Sequence, residues 1–106
     1  MVMRIPESDW KVFRKLHRVA LERFCQRVLD ESTAICAKND ATAHERYLEL
    51  YALVQERNRR IADVFDEFRR STALTSIRLM RVHDLLTADE IAEFSEETQR
   101  TTQVPR

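Results

Sequence analysis

The residues of this chain whose types could do chemistry are few, and their spacing argues against it. His17, His44, His83, Cys25 and Cys36 are the natural metal ligands. None of them forms a His-x-x-His, Cys-x-x-Cys or Glu-x-x-His pair, the spacings that put two ligands on one side of a helix. Asp63 and Glu67 sit one helical turn apart, as a general acid–base pair would, but so do many carboxylates on solvated helices. Ser71 and Ser76 have no histidine near them in sequence. The expectation is a non-enzymatic chain with no catalytic residue, metal or cofactor.

Arginine is the other candidate. Arg57, Arg59, Arg60, Arg69, Arg70, Arg78 and Arg81 crowd one stretch, and Lys11, Arg14, Lys15 and Arg18 share one side of the first predicted helix. A basic stripe of this kind can hold a phosphate backbone. Glu56–Arg60, Arg59–Asp63 and Asp66–Arg70, however, all have the i,i+4 spacing of helix-surface ion pairs. Intervening Asp63, Asp66 and Glu67 would repel a polyanion. Nucleic-acid binding through Arg57, Arg59, Arg60, Arg69, Arg70 and the basic face of helix 1 is therefore the alternative reading.

The leading reading rests on a seam. Tyr47, Tyr51, Val54, Asn58, Ile61, Phe65 and Phe68 recur at alternating four- and three-residue steps, which keeps one helix stripe facing a packing partner as in a coiled coil. Asn58 is its only polar member, and a buried asparagine at such a position can fix register and strand number. Tyr47 and Tyr51 are amphipathic, suited to an interface rim.

These residues need helices to position them, and the composition supplies little else. Glycine is absent and the two prolines, Pro6 and Pro105, lie near the ends. Tight hairpins and glycine-built phosphate loops are disfavoured, and the interior lacks both strong helix breakers. Ser8 reads as the cap of a first helix over 8–37, with Asp9 in its first turn. Its apolar face turns from Trp10, Phe13 and Leu16 toward Cys25, Leu29 and Cys36, so it meets two neighbours. Lys38, Asn39 and Asp40 form a turn, with Asn39 suited to the left-handed conformation. Thr42 and Glu45 are a capping box opening helix 2 over 42–70. Helix 3 is expected over 72–86. Thr87 and Glu90 make a second capping box, opening an acidic helix 4 over 88–98.

The predicted architecture is an all-α helical bundle built on an antiparallel hairpin. Residues 1–7 form an N-terminal arm, 8–98 a single domain and 99–106 a disordered tail. No signal peptide is visible, and no apolar run approaches the ~20 residues of a membrane span. Cys25 and Cys36, ~16 Å apart along one helix, are beyond disulfide reach and expected to be buried and unpaired, as suits the cytoplasm. With zero formal net charge and no membrane or small-molecule substrate in view, the predicted role is a protein–protein interaction module. It would pair with its own copy as a homodimer or with another helical protein, in a regulatory, adaptor or chaperone-like capacity.

Overall fold

Helix α1 (Glu7–Cys36) opens at Pro6, whose fixed φ and missing N–H suit a helix entrance. The computed structural model describes residues 5–105. Ser8, expected as the cap, already lies inside the helix, and no side chain caps it. After a turn at 37–42, α2 (Ala43–Phe65) returns along α1 as the predicted hairpin. Both bonds of the Thr42–Glu45 capping box are made. Cross-hairpin contacts fix an antiparallel register: Arg46 donates to the Cys36 carbonyl, Arg57 pairs with Glu31, and His17 meets the Phe65 carbonyl. Asn39 does not turn left-handed; among the described residues only Asp84 does.

Helix α2 stops at Phe65 rather than near Arg70. Residues 67–69 leave the helix, with Arg69 fully extended, before a single 3₁₀ turn (Arg70–Thr72) and α3 (Ala73–Val82). Aromatic packing accounts for the break. Phe68 turns back onto α1, within 5.4 Å of Trp10, 5.7 Å of Phe13 and 4.7 Å of His17 between ring centroids. Arg70 then ties the break to the chain start, donating to the Ile5 carbonyl and pairing with Glu7.

A complete Schellman motif ends α3: Leu85 N–H bonds the Met80 carbonyl and Asp84 N–H the Arg81 carbonyl. Asp84 occupies the left-handed position at φ 54°, where glycine is the usual choice and this chain has none. Two arginines one turn apart on α1 hold this corner. Arg23 donates to the Leu85 carbonyl, and Arg27 to those of His83 and Asp84. Relieving the left-handed strain by Asp84→Gly should raise stability by about 0.5–1 kcal/mol, read as the midpoint shift in a denaturant titration.

The single helix expected over 88–98 is two. The Thr87–Glu90 capping box opens α4 (Ala88–Ile91), and Ser95 caps α5 (Glu96–Thr101). Residues 99–103 of the expected disordered tail are held, and Arg106 lies outside the described residues. Thr102 is buried, Arg81 donates to the Gln99 carbonyl and the Thr102 hydroxyl, and Arg78 to the Gln103 carbonyl. The chain is all-α, with no strand among the described residues.

Burial is uneven along the hairpin. Phe13, Leu16, Ala20 and Phe24 of α1, Val64 and Phe65 of α2, Ile77 and Met80 of α3, and Leu85, Leu86 and Phe94 beyond it form one core with Ile5. It occupies only one end of a 52 × 26 × 25 Å molecule. Beyond Phe24 and before Ile61 the hairpin runs on as an arm in which only Ile35 is buried.

Two carboxylates, one buried and one half-buried, lock the base. Asp9, 2% exposed, accepts bonds from Ser95 N–H (2.8 Å), the Ser95 hydroxyl (2.7 Å) and the Thr98 hydroxyl (2.6 Å). Burial pushes its carboxyl up, but the bonds from Thr98 and Ser95 together outweigh that and hold it below its usual value. Glu90 forms a bidentate pair with Arg23 at 2.6 and 2.9 Å. The Arg23 bonds bring its carboxyl down to about 2, burial opposes them, and the Thr87 N–H assists. A lowered folded-state value stabilises the fold above the unfolded value of about 4 and loses that effect as pH falls through the folded one. Thermal stability should therefore fall steeply from about pH 4.5 toward 2. Glu90→Gln should cost about 2 kcal/mol at neutral pH, a figure reduced for the exposure of Arg23, and flatten that acid limb.

Candidate interaction surface

The side of α2 that meets α1 carries Arg46, Leu50, Leu53, Arg57 and Val64, all half-buried or buried. At 100° per residue the seam residues lie roughly a quarter turn away from that side. Their fates divide along the helix. Phe65 is buried in the core and Ile61 half-buried at its edge. Tyr47 (61% exposed), Tyr51 (54%), Val54 (47%) and Asn58 stand in water. The seam thus has the predicted period, but its own chain covers only the Phe65 end. Phe68 lies beyond α2 and joins the ring cluster on α1.

Helix α1 contributes a matching stripe. Cys25, Leu29 and Cys36 share one side, with Leu29 59% exposed. Cys25 and Cys36 are unpaired, as expected, but they are half-buried and exposed, not buried. The reason is local: at their height on the arm only α2 packs on α1, and both cysteines lie on the flank of that contact, Cys25 lining the groove between the two helices. Together the two helices present one continuous apolar face. A groove of about 220 Å³ runs along it, lined by Cys25, Val28, Leu29, Val54, Asn58 and Ile61 with the stem of Arg57. Leu48 extends the apolar area on the flank. Tyr47 and Tyr51 stack at 6.4 Å, and Gln55 donates to the Tyr51 hydroxyl, so the rings are held in place.

The arginines of α2 and of the break after it are largely spent within the chain. Arg57 joins Glu31 and Glu56, and Arg60 joins Glu56 at the predicted i,i+4 spacing. Arg69 pairs with Glu67 and Arg70 with Glu7. The Asp66–Arg70 pair is not made, because the helix it required ends at Phe65. Arg59 is exposed and forms no ion pair with Asp63 or any other described residue. These five side chains do not converge on one site.

The remaining candidates also stay apart. His44 is exposed, His17 is bonded to the Phe65 carbonyl, and His83 borders a pocket with Phe24, Arg27, Arg57 and Arg60. Burial, then the charges of Arg60 and Arg27, push the His83 imidazole below its ordinary value. No three His, Cys, Asp or Glu side chains gather as metal ligands among the described residues. Asp63 and Ser71 are exposed, while Ser76 is buried.

Sequence reasoning missed Asp9, Arg23 and Arg27 as structural anchors and treated Ser95 as helix interior. The signal for Ser95 was present: a serine followed by Glu96 and Glu97 is a helix start. Asp9 had no local signal, since its partners lie 86 and 89 residues away. No helix among the described residues is long and apolar enough to cross a membrane. Comparison with known protein families, with curated proteins and with solved structures finds no match to this chain.

Proposed function

We propose that the hairpin arm is an association surface and that its occupant is a second copy of the chain, two arms packing face to face as a four-helix bundle. The observation that supports this is the unpartnered seam at Tyr47, Tyr51 and Val54 beside Leu29. With Leu48 these side chains leave on the order of 500 Å² of apolar surface in water, at the upper end of what a monomer's largest patch shows. Two such faces together bury about 1,000 Å², the lower limit of a specific interface, so the dimer should be a weak one. The stripe continues a packing pattern already used at Phe65, so a like-patterned pair of helices fits it without new chemistry. Free thiols at Cys25 and Cys36 on this face suit a reducing, cytoplasmic setting. A non-enzymatic adaptor or regulatory role follows from such a surface.

Asn58 lies at the core-side end of the exposed stretch, where a two-fold axis running along the arms would bring it close to its counterpart. In one chain it is solvated and costs nothing; in the pair it must find a partner. Asn58→Leu should tighten the dimer about tenfold while admitting higher oligomers. Sedimentation equilibrium across the micromolar range tests both statements. A wild type that stays monomeric throughout defeats the proposal, and an unchanged assembly in Asn58→Leu removes the role of that asparagine.

A further inference from the structure

The first half of α1 carries a second unpartnered feature, at the base rather than the arm. Lys11, Arg14, Lys15 and Arg18 follow the i, i+3, i+4, i+7 pattern of a single helix side. With Val19 and Phe68 they line a groove of about 520 Å³ that contains no carboxylate. Lys15 reaches Glu93, whereas Lys11, Arg14 and Arg18 form no ion pair among the described residues. Glu22, one turn beyond Arg18, makes none with it. In a chain of zero formal net charge this concavity, lined by four cations and no carboxylate, is a local positive excess.

Phe68 gives the groove an aromatic wall. It is 44% exposed although it sits in a cluster of rings. Phe13 stacks under one face, with the two planes 27° apart, and Trp10 and His17 pack at its sides. The exposure therefore falls on the opposite face and rim, and the ring is held as a fixed platform.

We propose that this groove binds single-stranded nucleic acid, its phosphates on the four cations and one unpaired base on the open face of Phe68. Charge complementarity supplies the first half of the argument. From Lys11 to Arg18 is ~10 Å of helix, roughly the span of two to three phosphates. The ring supplies the second half, because a rigid aromatic face beside a cationic track is how unpaired bases are held without sequence preference. A duplex keeps its bases stacked on one another and leaves the ring unused. A bilayer would call for a broad apolar face, and here Phe68 and Val19 are the only apolar residues lining the groove among four cations. This site is separate from the arginines of α2, which are mostly paired with carboxylates, and from the association face of the arm.

The full-length chain and a short labelled oligothymidylate test it by fluorescence anisotropy over a salt series. The single tryptophan, Trp10, reports locally because its ring lies 5.4 Å from that of Phe68. Binding should quench or shift Trp10 emission, with a log–log salt slope of about −1.5 to −2. Arg14→Glu with Arg18→Glu, both at exposed positions, should weaken binding at least tenfold. Phe68→Leu should weaken it about tenfold while leaving the salt slope unchanged, and Arg59→Glu should change nothing. The proposal is overturned by any of three results: no binding at low salt, binding indifferent to the charge reversals, or equal affinity for a duplex of the same length. Tighter binding to phosphatidylserine vesicles than to the oligonucleotide also overturns it, in favour of a lipid surface.

Discussion

Replacing Asp9 with alanine should lower the stability of the fold by about 3 kcal/mol, the largest effect expected of any single polar substitution. The carboxylate is buried and receives three hydrogen bonds from Ser95 and Thr98. It joins the first turn of α1 to the cap of α5, across nearly the whole sequence. Alanine leaves two hydroxyls and a backbone N–H facing a dry void. Asp9→Asn keeps the volume but turns an amide NH₂ toward donors, and should cost about 1–2 kcal/mol. Asp89→Ala, at an exposed position, should be within ~0.5 kcal/mol of wild type. Urea unfolding of the three variants checks this. A loss below about 1 kcal/mol in Asp9→Ala would mean that Ser95 and Thr98 readily recruit water in its place.

Putting charge on the arm should abolish self-association without unfolding the chain. In the double variant Leu29→Glu and Tyr51→Glu, each copy brings two carboxylates to a face that must become dry. The uncompensated desolvation and like-charge repulsion should weaken the dimer by at least a hundredfold. Both positions are more than half exposed in the single chain, so its own stability should change little. Sedimentation velocity and thermal melts of the same samples separate the two effects. A double variant that dimerises like wild type places the interface elsewhere.

The capping-box signals in the sequence were reliable, the single-residue signals at Ser8 and Asn39 were not, and long-range ones were invisible. Missing glycine implied helices, and the pairs Thr42–Glu45 and Thr87–Glu90 marked two starts that form both capping-box bonds. Each of those signals spans three residues and works through neighbouring backbone. The end of α2, expected at 70, falls at Phe65. The break is made earlier, by Phe68 packing on Trp10, Phe13 and His17, and no local pattern announces that. Asp9 was read as an ordinary first-turn acid, since its role depends on Ser95 and Thr98 arriving from the other end of the chain.

The candidate surface was legible as a period but not as a surface. The four-and-three spacing from Tyr47 to Phe68 is sequence information. How much of that stripe the chain covers depends on where the core stops, and the core stops near Ile61. Cys25 and Cys36 were misjudged for the same reason, as helical periodicity cannot reveal that the arm carries one neighbour where the base carries several. The arginines show the converse. Their density suggested a site, and their cross-hairpin and loop partners Glu31 and Glu7 became visible only in three dimensions.

The central claim is that the exposed stripe of the arm is where two copies meet. Hydroxyl-radical footprinting of Tyr47 and Tyr51, compared below and well above the dimerisation midpoint, tests it most directly on the unmodified chain. Both rings should oxidise rapidly in dilute solution and become several-fold protected as the dimer forms, while exposed residues of the base such as Phe68 keep their rate. Tyrosines that oxidise equally fast at every concentration, in samples shown by sedimentation to be dimeric, would contradict it.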